Sequence, residues 1–189
     1  TSSATTKLIH GGLRYLEHLE LGLVRESLRE RAFLLENLPQ IVHRLEIVTP
    51  SYFDDERPMW FVSLGLTLYD VLGGSRLGRH RRLSASEVAR FAAIRPEGLV
   101  GGFSFLDAQV DDAALVATVI RSGLRDGVVA KEHCEVIGLE RESAQWRITT
   151  NNCGTVLFDL VVAVTGPWMP SFLDRIGRES PRAMSLVRG

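Results

Sequence analysis

Apolar residues recur along the chain with several periods, and each period predicts an element. Leu21, Val24, Leu28, Ala32, Leu35 and Leu38 stand three or four residues apart, with Arg25, Arg29 and Glu30 between them. That spacing predicts an amphipathic helix, and Pro39 closes it. The branched residues of "IVHRLEIV" predict a strand, and the turn-rich "TPSYFDDERP" after it a loop. "MWFVSLGLTLYDVLGG" carries no charge before Asp70 and ends in paired glycines, which suits the end of a helix. It is more apolar than a surface helix and too short to span a bilayer, so it is expected to be buried, to meet a second subunit, or to touch a membrane surface.

Further along, "SASE" predicts a capping box, with Ser84 at the cap and Glu87 three residues on, opening a short helix that ends before Pro96. In "VGGFSFLDAQV", alternation places Phe103, Phe105 and Asp107 on one face of a strand and Ser104 and Leu106 on the other. Asp111 and Asp112 open a helix expected to run to about Asp126, where Gly127 stops it. "VVAKEHCEVIGLERE" supplies one strand or two, and "AQWRITT", "NNCG" and "TVLFD" form a hairpin. The continuous apolar run "LVVAVTG" has the pattern of a strand buried on both faces. Together these elements predict an α/β fold with α+β elements. Residues 39–106 read as an irregular insertion between two flanks of one parallel sheet.

Composition narrows the function classes. The 189 residues carry a net charge of -1, with both signs spread along the chain, which argues against a nucleic-acid partner. Cys134 and Cys153 have no metal-ligand spacing and are expected as two reduced, partly buried thiols rather than a disulfide; no metal site is expected. The basic stretch "RLGRHRRL" suits either a solvated loop or an anionic lipid surface.

The opening string "TSSATTKLIHGGLRYLE" packs hydroxyls, a cation and paired glycines as a ligand-binding loop does. Arg14 offers a planar fork for phosphate or carboxylate, and the neighbouring Tyr15 a phenol for an oxygen of the same ligand. This string resembles the second flavin-contacting segment of the FAD-dependent glycerol-3-phosphate dehydrogenases. "GLTLYDVLGG", "FSFLDAQVDDAALV", "VVAVTGPWMPSFLD" and "SLVRG" resemble later segments of that family in the same order.

The resemblance implies an FAD-binding domain of the glutathione-reductase-like and D-amino-acid-oxidase-like kind, with an inserted cap. Residues 1–38 and 107–180 would belong to the FAD-binding domain, 39–106 to the cap, and 181–189 to the next cap strand. Ser2 and Ser3 would lie along the FAD pyrophosphate, and Lys7, Leu8, Ile9 and His10 beside the ribityl chain and flavin. Gly11 and Gly12 would allow close approach to the ring, and Arg14 and Tyr15 would face the substrate. His10 is expected to be structural on the flavin side rather than a general base. Val136 would meet the adenine through its backbone, and Thr165, Gly166, Pro167 and Trp168 would close over the adenosine.

The implied reaction oxidises glycerol 3-phosphate to dihydroxyacetone phosphate and passes electrons to quinone, in an enzyme held peripherally on the cytoplasmic face of the cell membrane, with a homodimer contact as a further expectation. An oxygen-using glycerophosphate oxidase is the alternative. Ala114 stands where the family has Arg, and Thr5-Thr6 where it commonly has serines. The family's G-x-G-x-x-G unit falls outside this chain, so these residues are expected to be a fragment of a longer enzyme that alone is inactive and lacks FAD.

Overall fold

A computed structural model of the chain describes residues 5–74, 78–91 and 93–178. They divide into two compact units, 1–126 and 127–189.

The first unit is built on a long strand. β1 (Leu8–Ile9) is followed by a 3-10 helix, Leu13–His18, and by α1 (Leu21–Asn37). Next come β2 (Val42–Tyr52), α2 (Met59–Leu72), β3 (Arg81–Leu83), α3 (Ala85–Phe91), β4 (Leu99–Val110) and α4 (Asp112–Arg125). β4 pairs along one edge with β2, from Val42 opposite Val110 to Tyr52 opposite Leu99. Its other edge takes β1 near Ala108 and β3 near Phe103. Every one of these ladders is antiparallel. The expected parallel sheet is therefore replaced, among the described residues, by an antiparallel one. β2 also runs on through Thr49 to Tyr52, so the first four residues of "TPSYFDDERP" are strand and not loop. Pro50 is tolerated because β2 is an edge strand, paired on one side only.

The helix periods hold. α1 buries Val24, Leu28 and Ala32, and of these Val24 and Leu28 meet Leu66 and Tyr69 of α2 and Phe103 and Phe105 of β4 in one core. Each such buried side chain contributes about 1.5–3 kcal/mol of transfer free energy. A second cluster joins Val42, Ala108 and Val110 to Ile9, Leu35 and Leu115. Ser84 and Glu87 form the reciprocal capping box: the Glu87 amide donates to Ser84 Oγ, and Glu87 Oε2 accepts the Ser84 amide at 2.8 Å. Asp111 caps α4 by accepting the Ala114 amide at 3.1 Å.

α2 is two-faced rather than wholly buried. Leu66 and Tyr69 face the core, while Trp60, Leu64, Thr67 and Val71, spaced four, three and four residues apart, form an exposed stripe.

The second unit contains β5 (Val136–Glu142), β6 (Gln145–Thr150) and β7 (Thr155–Phe158), a three-stranded antiparallel meander, and then α5 (Met169–Arg175). The β6–β7 hairpin is as expected. "LVVAVTG" is not: it forms no strand, and Leu160, Val162 and Val164 are all exposed. Its apolar run signals a buried strand, but it pairs with no strand among the described residues. Cys134 and Cys153 are joined in a disulfide, not left as free thiols. The β5–β6 register explains this: it sets Val136 opposite Thr150 and leaves the two Cα atoms 5.9 Å apart, within bridging distance.

Candidate functional site

The Lys7–Tyr15 segment is shaped by long-range strand pairing at its start and by short-range bonds in the turn that follows. Leu8 and Ile9 pair with Gln109 and Ala108, and the Lys7 carbonyl accepts the Val110 amide at 2.9 Å. β1 lies at the end of the sheet order, so its second edge is open among the described residues. The chain then turns at Gly11 and Gly12, both buried. Gly12 is left-handed at φ 69°, and its amide donates to His10 Nδ1 at 3.0 Å. Its carbonyl accepts the Tyr15 amide at 2.8 Å and starts the 3-10 helix that carries Arg14 and Tyr15. Both side chains are exposed, while Leu16 beside them is buried in the core.

Gly11 is a glycine for a reason within the protein. A Cβ there would stand 2.4 Å from Leu28 Cδ2 and 2.7 Å from Tyr69 Cε2. Its missing side chain makes room for the core first, and only the outer side of the turn is left for a ligand.

Behind the turn lies a buried polar cluster that periodicity did not single out as a site. The Arg31 guanidinium pairs with the Asp107 carboxylate, and both are almost wholly buried. Tyr69 Oη lies 3.1 Å from each Asp107 oxygen and 2.6 Å from the Gly11 nitrogen. Burial raises the Asp107 carboxyl above its usual range, and Arg31 and the Tyr69 hydroxyl pull it part of the way back. Burial, reinforced by the Asp107 charge, pushes the Tyr69 phenol well above its ordinary value, so it remains a donor. Asp107 carried a sequence signal, since a carboxylate in register with Phe103 and Phe105 needs a partner. Arg31 carried one too, next to Ala32 on the buried face of α1.

The other expected site residues fall elsewhere. Ser2 and Ser3 lie outside the described residues. Val136 opens β5, and Thr165 precedes a short 3-10 helix of Gly166, Pro167 and Trp168; all of these belong to the second unit. The first unit thus gathers Lys7, Leu8, Ile9, His10, Gly11, Gly12, Arg14 and Tyr15, and the second holds Val136, Thr165, Gly166 and Trp168. Among the described residues no group of three or more His, Cys, Asp or Glu is arranged to hold a metal.

This geometry fits a flat, polar-edged cofactor. An open strand edge offers alternating N–H and C=O groups, and the buried double-glycine turn beside it adds no side-chain bulk, its own amides being spent on Tyr69 and His10. All 189 residues match the family described as FAD dependent oxidoreductase, and the chain belongs to that family.

Among its relatives, a glycerol-3-phosphate dehydrogenase of Pseudomonas tolaasii is 36% identical over 196 residues, covering 100% of this chain and 37% of the relative. The aerobic glycerol-3-phosphate dehydrogenase of Escherichia coli is 35% identical, with 100% and 38% covered. A D-erythritol 1-phosphate dehydrogenase of Brucella abortus is 36% identical, with 100% and 39% covered. The chain therefore spans less than two fifths of the length of each of these relatives. The fold is shared with a Bacillus halodurans glycerol-3-phosphate dehydrogenase complexed with FAD, at TM-score 0.60 and 20% identity over 93% of this chain and 28% of that one. It is also shared with an L-alpha-glycerophosphate oxidase of Mycoplasma pneumoniae with FAD bound, at TM-score 0.67 and 14% identity, covering 94% and 47%.

Proposed function

We propose that an enzyme containing this chain uses FAD to oxidise sn-glycerol 3-phosphate to dihydroxyacetone phosphate and passes the electrons to quinone. The observation that carries this reading is the Lys7–Tyr15 segment, an open strand edge leading through a buried glycine turn to an exposed Arg-Tyr pair. It lies in a chain matched along its whole length by dehydrogenases of polyol phosphates. FAD, when bound, supplies the two-electron acceptor for the substrate carbinol carbon.

The work of this chain is to bind and orient. Lys7, Leu8, Ile9 and His10 line the flavin and ribityl side, with Ser2 and Ser3 along the pyrophosphate. Gly11 and Gly12 give backbone approach to the ring. Arg14 compensates the substrate's anionic charge with a planar fork, and the Tyr15 phenol orients an oxygen of the same molecule. His10 spends Nδ1 on the Gly12 amide, which supports a structural role over that of a base. Val136, Thr165, Gly166 and Trp168 take the adenosine side. In domain terms, residues 1–38 and 107–180 belong to the FAD-binding part and 39–106 to the cap, although β4 runs unbroken across the second boundary.

No helix among the described residues is long and apolar enough to cross a membrane. The exposed apolar stripe of α2 and the exposed Arg79, Arg81 and Arg82 support a peripheral contact with the cytoplasmic face of an anionic membrane, where quinone resides.

The test is the FAD-loaded full-length enzyme with glycerol 3-phosphate and a water-soluble quinone. Quinone reduction is the expected result. Peroxide release at an equal rate without quinone would make the enzyme an oxidase, faster turnover of D-erythritol 1-phosphate would change the substrate, and a flavin that neither polyol phosphate reduces would overturn the proposal.

A further inference from the structure

A phenol has one hydrogen to donate and two positions at which to accept, and Tyr69 uses all three. The Gly11 amide donates to its oxygen at 2.6 Å and Arg31 Nη1 at 3.3 Å. Its own hydrogen goes to Asp107, whose two oxygens are both 3.1 Å away. α1, α2, β4 and the loop after β1 meet at this one oxygen. The two Nη1 hydrogens of Arg31 are shared among Asp107, the Tyr69 oxygen and the Leu106 carbonyl, the last at 3.3 Å.

The consequence reaches the exposed pair. Gly11 is pinned by Tyr69 on one side of the turn, and Leu16 is buried in the core on the other. Between these anchors run two short links, the Gly12 amide to His10 Nδ1 and the Tyr15 amide to the Gly12 carbonyl. Arg14 and Tyr15 therefore project from a span whose two ends are both fixed. Steric exclusion by Leu28 explains why residue 11 has no side chain, but it does not explain a hydroxyl aimed at its amide. A phenylalanine would fill the same core volume.

We propose that Tyr69 is a positioning residue for the substrate-facing segment: its hydroxyl holds the Gly11 amide and so sets the direction in which Arg14 and Tyr15 leave the glycine turn. Asp107 and Arg31 hold the hydroxyl in turn, Asp107 by accepting its hydrogen and Arg31 by holding Asp107. The ligand this arrangement serves is the phosphorylated polyol of the function proposed above, on which the inference rests. Neither Tyr69 nor Asp107 touches it.

The test compares Tyr69→Phe, which removes only the hydroxyl, with Leu66→Val, which loosens the same helix without touching the polar cluster. Hydrogen exchange of the Gly11 amide, and KM and kcat for glycerol 3-phosphate, are all measured in the FAD-loaded full-length enzyme. Loss of a buried partner should speed Gly11 exchange about tenfold or more in Tyr69→Phe. It should raise KM by about tenfold, with kcat changed less than about threefold. Leu66→Val, at a comparable loss of melting temperature, should do neither. Equal effects from the two variants would reduce Tyr69 to packing and overturn the inference, as would unchanged Gly11 exchange. Should the wild-type enzyme oxidise no polyol phosphate, the proposed function fails, and the exchange comparison alone then supports or overturns the pin.

Discussion

His80 Nδ1 lies 2.7 Å from Asp70 Oδ2, and the same oxygen accepts the His80 backbone amide at 3.0 Å. Asp70 stands in the last turn of α2, and His80 immediately precedes β3, so one carboxylate oxygen closes the connection between helix and sheet. The imidazole also leans on the Phe103 ring, with centroids 5.9 Å apart. Both side chains are largely shielded from water, so the contact is not diluted as a surface ion pair is. Asp70→Ala removes two hydrogen bonds at once and should lower unfolding free energy by about 1–3 kcal/mol. Urea denaturation checks it. A loss below about 0.5 kcal/mol, the usual size of a surface substitution, would mean that the connection is held by packing alone.

Two glycines should respond to alanine with opposite signs. At Gly102 in β4 a Cβ would stand 2.4 Å from the Thr49 carbonyl oxygen, a backbone atom that the β2–β4 ladder holds in place. Gly65, inside α2, has nothing within 4 Å of that position. Gly102→Ala should therefore destabilise by about 1–3 kcal/mol through overpacking. Gly65→Ala should stabilise by roughly 0.5–1 kcal/mol, because alanine loses less backbone entropy in a helix. Melting temperatures of the two variants, falling and rising respectively, decide it.

The limits of legibility follow from range. The α1 stripe, the Ser84–Glu87 capping box, the Asp111 cap and the β6–β7 hairpin were all legible, because each depends on residues within a turn or two of one another. The turn at Gly11 and Gly12 was legible for the same reason, from the paired glycines themselves. The cluster behind it was not: Arg31 and Asp107 are 76 residues apart, and Tyr69 lies between them in sequence. Only the packing of α1 and α2 against β4 brings the three together. The disulfide was missed likewise, since joining Cys134 to Cys153 needs the β5–β6 register. "LVVAVTG" shows the converse, because an apolar run states that a segment requires cover without saying what supplies it.

The capping box makes a prediction about acid. The Ser84 amide and hydroxyl both donate to the Glu87 carboxylate and hold its carboxyl below the ordinary glutamate value. The unfolded chain therefore binds the proton first as pH falls. The stabilisation is fully present above the unfolded value, about pH 4.3, and is lost as pH drops through the lower folded one. Glu87→Gln keeps an acceptor but not the charge. The stability gap between wild type and Glu87→Gln should be present at neutral pH and should narrow as pH falls below the ordinary glutamate range. A gap of constant size across that titration would assign the cap to hydrogen-bond geometry without charge.

Arg14 offers the most direct test of the substrate-facing segment. It is exposed, just beyond the pinned glycine turn, and no hydrogen bond from its side chain competes with a ligand among the described contacts. Arg14→Ala in the full-length enzyme should raise KM for glycerol 3-phosphate about ten- to a hundredfold, the cost of a lost charge-assisted contact of roughly 1.5–3 kcal/mol. Bound FAD, read from its absorbance, should be retained, because the cofactor-side contacts run from Lys7 to Gly12. A KM within twofold of wild type would remove Arg14 from the substrate site.

The exposed stripe of α2 leads to the last prediction. Trp60 is 68% exposed and Leu64 59% exposed, and the Trp60 ring meets Phe61 edge to face at 5.8 Å, so the start of the helix offers an aromatic wedge. Arg79, Arg81 and Arg82 are exposed on the segment that Asp70 ties to the end of the same helix, and among the described residues Arg81 alone of the three forms an ion pair, with Glu87 at 3.8 Å. Each free arginine near an anionic bilayer contributes about 1 kcal/mol, and the aromatics add their own burial. Trp60→Ser with Phe61→Ser, and separately the three arginines changed to Glu, should each weaken sedimentation of the full-length enzyme with vesicles containing anionic lipid. The arginine variant alone should also lose the salt dependence of binding, because screening acts on the charges and not on the wedge. If both variants bind such vesicles as the wild type does, the stripe covers a protein surface instead, and a second copy of the chain is then the partner to test by its oligomeric state in detergent.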